Sequence, residues 1–233
     1  MSIETEFVAP PVSRHAVTFV LITVFLDMVG FGIIIPVLPT LIEQVGHVSL
    51  GEAAKIGGWM AAAYSLTQFL FGPLMGNLSD RFGRRPLLLL AILGLGLDFL
   101  LQAVAPNLGW LFVGRILAGL CGASWVIANA YIADISTPSE RGRNFGFIGA
   151  AFGIGFIAGP VIGGLTAGID PRAPFWIAAA LAAANFVFGY FVLPESLARE
   201  NRRDFTLARA NPLASFAAVR RLPGLKTLLL VSF

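Results

Sequence analysis

Charge is what this chain has least of. Only 12% of its 233 residues are charged and 57% are hydrophobic, against roughly 25% charged in an average soluble domain, and the mean hydropathy is +0.81. A soluble globular domain is excluded. The single cysteine, Cys121, lies in an apolar run; it forms no internal disulfide and reads as a small packing residue. Only His15 and His47 represent histidine. With no His-Glu-x-x-His, no phosphate-binding glycine loop with its lysine and no nucleophile elbow, the expectation is no enzyme, no metal ligation and no cofactor. Nor does the net charge of +3 point to nucleic acid, because the basic residues sit in short segments between apolar runs, where a bilayer explains them.

Those runs have the length that a helix needs to cross about 30 Å of hydrocarbon, about 20 residues. Six spans are predicted, over 16–39, 56–76, 86–105, 108–132, 144–168 and 174–193. The first is too long for a signal peptide, carries Asp27 in its middle and is followed by no small-residue cleavage site. The domain reading is a tail over 1–14, a six-helix bundle over 15–194, a polar linker over 195–223 and the start of a seventh helix over 224–233, LKTLLLVSF being too short to cross. Assigning alternate loops to opposite sides puts Arg14, Arg81, Arg84, Arg85, Arg141, Arg143 and seven basic residues after 194 on one face, against Lys55 and Arg172 on the other. The positive-inside rule then predicts a plasma (inner) membrane protein with both the N-terminus and the polar tail cytoplasmic. Within that tail NPLASFAAVRRL, 211–222, reads as a short surface helix: Asn211 as cap, Pro212 in the first turn, and Leu213, Phe216 and Val219 on one face.

Three charges lie inside the spans. An ionised group at mid-helix costs about 2.5–3.5 kcal/mol on insertion scales, so Asp27, Asp98 and Arg115 need partners or a watery cavity. At 1.5 Å per residue, Asp27 is about 18 Å in from His15, Asp98 about 18 Å in from Pro86, and Arg115 about 12 Å in from Asn107 on the opposite face. That is one level in the membrane and predicts one polar site. Asp27 is expected to be the proton carrier or cation contact, with Arg115 holding or tuning it. Desolvation favours a neutral carboxyl and a nearby guanidinium an ionised one, so movement between the two transfers a proton. The alternative is a static ion pair joining the first and fourth helices. Asp98 either lines the cavity or faces a helix neighbour. Gln68 and Asn129 are either polar contacts for a small molecule or interhelical hydrogen bonds, the structural role being preferred for Asn129.

Glycine is abundant, 26 in all. Gly155, Gly159 and Gly163 recur every four residues beside Pro160 and Gly164, a stripe that lets a neighbouring helix pack backbone to backbone, while Pro160 removes an internal hydrogen bond. Gly30 and Gly32 have neither the third glycine nor the preceding strand of a dinucleotide fingerprint; they let the first helix bend with Pro36 and Pro39.

The short charged hairpin GNLSDRFGRR at 76–85 places Asp80 near the end of the second helix. Gly83 permits a left-handed turn, Pro86 suits the first turn of the third helix, and Gly76 allows close helix approach. Its arginines alone read as topogenic anchors. The spacing Gly76-x-x-x-Asp80-Arg81-x-Gly83-Arg84-Arg85 resembles the signature loop of the major facilitator superfamily, which latches the two halves of the transporter and helps to control its switching. LDMVGFGIIIPVLP in the first helix and GIGFIAGPVIGG in the fifth resemble segments of the twelve-helix drug/proton antiporters, the second being their antiporter motif. SDRFGRRPLLLL, LDFLLQAV, GRILAG and YIADIS are most similar to tetracycline efflux proteins, with Trp125 standing where a small residue is the pattern.

The resemblance implies an all-α integral membrane fold, a six-transmembrane-helix bundle with a 3+3 inverted repeat, equal to the N-terminal half of such a transporter. It implies proton-coupled antiport of a tetracycline-like drug, with protons, drug, bilayer, and a C-terminal half or second copy as partners. Asp27, Asp98, Arg115 and Gln68 are then the coupling and substrate residues. Asp134, Arg141 and Arg143 join the hairpin in a cytoplasmic charge network; its alternative is a solvated cluster whose pairs are worth about 0–1 kcal/mol each. The alternative function is a truncated membrane fragment that folds but does not transport.

Overall fold

The computed structural model describes residues 14–212, which contain helices and no strand. The elements are α1 (Arg14–Gly46), α2 (Leu50–Phe82), α3 (Arg84–Val104), α4 (Leu108–Cys121), α5 (Ser124–Ile135), α6 (Arg141–Ala167), α7 (Ala173–Val192), a 3-10 turn at Arg199–Asn201 and α8 (Leu207–Ala210). The predicted tail at 1–13, the surface helix beyond Pro212 and the seventh-helix start lie outside the described residues. Ala16–Gly46, Arg84–Val104, Leu108–Ile135, Arg141–Ala167 and Ala173–Val192 are long and apolar enough to cross a membrane. The predicted second span lies inside α2, which at 33 residues is as long as α1 but is not among these five. Its middle carries Tyr64, Ser65 and Gln68, which line a cavity.

Two span boundaries differ from expectation. α1 does not stop at Pro39 but runs through both prolines to Gly46 and ends at His47, which takes a left-handed φ of 52°. The fourth span is not one helix. It breaks at Gly122–Ala123, where the Gly122 carbonyl accepts a hydrogen bond from Gln68 Nε2 at 3.1 Å, so a side chain of α2 supplies a donor at the interruption. Elsewhere the ends are closed locally. Ser49 and Glu52 form a capping box at the start of α2. The Arg172 guanidinium donates to the Ala103 and Ala105 carbonyls at 2.8 Å each, satisfying oxygens at the end of α3.

Helix pairing orders the bundle. α1 packs most extensively on α6, α3 on α7, and α2 on α4. With α4 and α5 counted as one span, first with fifth, second with fourth and third with sixth are among the largest pairings, although the third packs as extensively on the fourth as on the sixth. Exchanging the first three spans with the last three reproduces that set, as a 3+3 repeat requires. The glycine stripe makes the first of these contacts. A methyl group at Gly155, Gly159 or Gly163 would lie 2.5 Å from the Phe25 oxygen, 2.5 Å from the Val29 oxygen and 3.2 Å from the Ile33 oxygen respectively. α6 therefore lies directly on the backbone of α1. Gly164 is off this seam, with nothing within 4 Å. Cys121 is buried and packs against Gly94 of α3. Thr23 and Asn185, both buried, hydrogen-bond across α1 and α7 at 3.3 Å.

Gly159→Leu is expected to lower stability by about 1–3 kcal/mol through overpacking. Gly164→Leu is expected to change it by less than about 0.5 kcal/mol. Thermal unfolding of the two variants in one detergent, side by side, checks both.

Candidate functional site

A cavity of about 380 Å³ lies among α1 to α6 and is lined by Asp27, Gln68, Asp98 and Arg115 together. The residues that the depth arithmetic put at one level, and Gln68, therefore line one cavity. The partner expected for the arginine is not the one found. Arg115 Nη2 pairs with Asp98 Oδ2, not with Asp27. The pair joins α4 to α3, and the two residues are 4% and 0% exposed. Gln102, one turn from Asp98 on the same face of α3, donates from Nε2 to the other carboxylate oxygen at 3.0 Å. Gly114 makes room: a methyl group there would lie 2.6 Å from Asp98 Oδ1. Asp98 thus sits in a socket built by three residues, its charge matched and its lone pairs occupied.

Asp27 is placed differently. It lines the same cavity from α1, together with Ser124 of α5, and has no ion-pair partner among the described residues. Beside it runs an aromatic wall that pattern reading missed. Trp125 meets Phe152 edge to face at 5.2 Å, Phe152 stacks on Phe156 at 6.1 Å, Phe156 on Phe31 at 6.3 Å, and Phe31 approaches Tyr64 at 6.1 Å. Four helices contribute to this arc. Asn129 takes no part in it, because its Nδ2 donates to the Trp125 carbonyl one turn earlier in the same helix. That is a local bond rather than the interhelical one expected.

The charged hairpin folds around a single residue, Gly83, with φ 107° between α2 and α3. A side chain there would be strained and would run into Glu195 Oε2, 2.2 Å from a methyl carbon. The expected network of five arginines contracts to one. Arg84 Nη1 bonds Asp80 Oδ1 and Ser79 Oγ, its Nε reaches Asp134 Oδ2 at 3.1 Å, and its backbone N–H donates to Glu195 Oε1 at 2.8 Å. Arg81 stacks its charge on the neighbouring Phe82 ring, Arg85 donates to the Tyr190 carbonyl, and Arg141 is exposed. Arg143 pairs with Glu140, whose carboxyl the Thr137 hydroxyl holds below its usual pKa. A methyl group on Gly76 would lie an ordinary 3.8 Å from Val126, so the close helix approach expected at Gly76 is absent.

The segment after α7, expected to be a polar linker, is folded onto this cluster. Ser196 donates to Asp134, the Arg203 N–H donates to the Asp80 carbonyl at 3.0 Å, and Asn77 donates to the Thr206 carbonyl at 2.7 Å. Leu193 and Leu197 are buried beneath it. Glu195 was legible only as a lone acid after an apolar run.

Comparison with known proteins agrees with this geometry. The sequence model of the Major Facilitator Superfamily matches residues 20–233. Over 221 residues the chain is 44% identical to the class C tetracycline resistance protein of Escherichia coli, covering 95% of this chain and 55% of that protein. It is 44% identical to the class B protein of Escherichia coli over 80% of this chain and 45% of that one. Multidrug resistance protein 2 of Bacillus subtilis (strain 168) is 35% identical over 78% of this chain and 45% of its own length. The human organic anion transporter TETRAN superimposes with a TM-score of 0.77 at 29% identity, over 94% of this chain and 60% of that one. The chain spans about half the length of the relatives it matches. Matched along nearly all its length by the family's sequence pattern, and built as a paired bundle with the charged hairpin between α2 and α3 at one end, this chain belongs to the major facilitator superfamily, a family of transporters rather than enzymes.

Proposed function

We propose that this bundle is one half of a proton-coupled efflux transporter for flat, tetracycline-like drugs, in the inner membrane with its N-terminus cytoplasmic. The observation that carries the reading is Asp27, a carboxyl without an ion-pair partner in a cavity whose other charges already neutralise each other. Such a group holds either a proton or the cationic centre of a drug, and taking one releases the other. The aromatic arc from Trp125 to Tyr64 supplies a face for a flat ring system and favours a cation over it. Asp98 and Arg115, paired with each other, give the cavity its shape and polarity.

The second moving part is the cluster on Arg84, which ties α2, α3, α5 and the segment after α7 in one arrangement. Its release lets those elements shift and changes the side from which Asp27 is reached. In transporters of this build the substrate lies between two halves, so a C-terminal half, or a second copy, closes the cavity. The span of about half of each relative equally supports the second reading, a bundle that folds and does not transport alone.

Tetracycline accumulation in cells decides between them, with the chain expressed alone and together with a C-terminal half. Lowering of drug that needs the proton gradient supports efflux; none in either case, from well-inserted protein, overturns it. Asp27→Asn should cut gradient-driven efflux by about 100-fold or more while stability moves by less than about 0.5 kcal/mol. Asp98→Asn should instead destabilise the bundle by about 3–5 kcal/mol, by stranding Arg115, and adding Arg115→Gln should restore most of the loss. Arg84→Ala should lower stability by about 1.5–3 kcal/mol and abolish efflux, read from thermal unfolding and from the same accumulation assay.

A further inference from the structure

Beyond the cavity at Asp27 there is a second one, of about 370 Å³, lined by Ile35, Leu38 and Pro39 of α1 and by Ala54, Gly57 and Ala61 of α2. The two are in series. Asp27 and Leu38 are eleven residues apart on α1, about 16 Å along the helix, and Ala54 lies close to the α1–α2 connection at His47–Ser49. Five residues belong to both linings: Phe31, Ile34, Tyr64, Ser65 and Arg115. Phe31 and Tyr64, from facing helices, bring their rings to 6.1 Å at this shared wall. Arg115 is 4% exposed, spends Nη2 on Asp98, and its buried Nε has no partner.

We infer that the second cavity is a separate substrate station, divided from the first by the Phe31–Tyr64 ring pair, for a flat apolar ligand with an oxygen acceptor on one edge. The inference rests on the efflux reading and extends it. The walls of Ile35, Leu38, Pro39 and Ala54 offer apolar surface and no charge, so the ligand contributes its ring faces there. Its oxygen takes a guanidinium N–H of Arg115, the one cation in the lining. The same arginine borders the first cavity, so a ligand need not surrender that contact while it crosses; the two rings must part for it to pass. The cation site at Asp27 is left behind at that step, which separates release of the drug's charged group from its exit.

Cysteine accessibility tests this without requiring transport. In a Cys121→Ser background, Ala61→Cys reports the second cavity and Met28→Cys the first. The probe is a charged, membrane-impermeant thiosulfonate added from the side of the α1–α2 connection to membranes holding the full chain together with a C-terminal half. Ala61→Cys should react about tenfold faster than Met28→Cys, as a hydrophobic constriction would impose. Phe31→Ala with Tyr64→Ala should bring Met28→Cys level, while unchanged labelling of Ala61→Cys shows that the fold survives. If that double variant does not fold, Phe31→Leu with Tyr64→Phe takes its place. Saturating tetracycline should protect both cysteines, and Arg115→Lys should weaken protection at Ala61→Cys. Equal native rates, or no effect of opening the ring pair, would overturn the partition. Protection of Met28→Cys alone would overturn the second station while leaving the efflux reading intact. Protection of neither would overturn that reading, and the station with it.

Discussion

A carboxylate and a guanidinium at mid-membrane persist only as a pair, and the contact between Asp98 and Arg115 is the constraint on which the rest of the site depends. It fixes α3 against α4 at a set rotation of each helix. Gly114 must be a glycine to admit it, and Gln102 must follow Asp98 by one turn to hold the second oxygen. With that charge settled internally, Asp27 on the facing helix is left as the unpaired ionisable group of the cavity. Because Arg115 is paired with Asp98, the proposed coupling would place the exchangeable proton and the structural ion pair on different carboxyls, and would not have to break a bond that the fold needs.

How much of this was legible before any coordinates can be judged residue by residue. Helix number, the hairpin and the packing stripe were legible because each follows from one-dimensional spacing: twenty apolar residues, a charged turn, glycines four apart. The common depth of Asp27, Asp98 and Arg115 was legible for the same reason, since helical rise converts position into height. Which of two equally deep aspartates meets the arginine depends on rotation about the helix axes, and height carries no rotation. The aromatic arc escaped because its members come from α1, α2, α5 and α6, and no single stretch of sequence contains the pattern. The break at Gly122 escaped because its cause, Gln68, is 54 residues away.

The segment after α7 is the larger difference. Its composition is that of a solvated linker, and its polarity is put to use differently: Glu195, Ser196 and the backbone at Arg203 complete hydrogen bonds around Asp80, Arg84 and Asp134. A polar stretch beside a charged hairpin finds partners there that water would otherwise supply, and the leucines at 193 and 197 add burial. Composition distinguishes soluble from buried chain; it does not distinguish solvated polar chain from polar chain that has docked.

One residue joins α2 to α3. Most helical connections carry a few residues of slack that absorb rotation of one helix before the next one feels it. Here there is none. α2 forms a wall of the cavity through Tyr64 and Gln68, while α3 presents Leu90, Leu93, Leu97 and Leu100 outward. The two are in effect a single folded lever whose fulcrum is Gly83. A rotation of α3 is therefore passed to α2, and so to that wall of the cavity, with no intervening chain to absorb it.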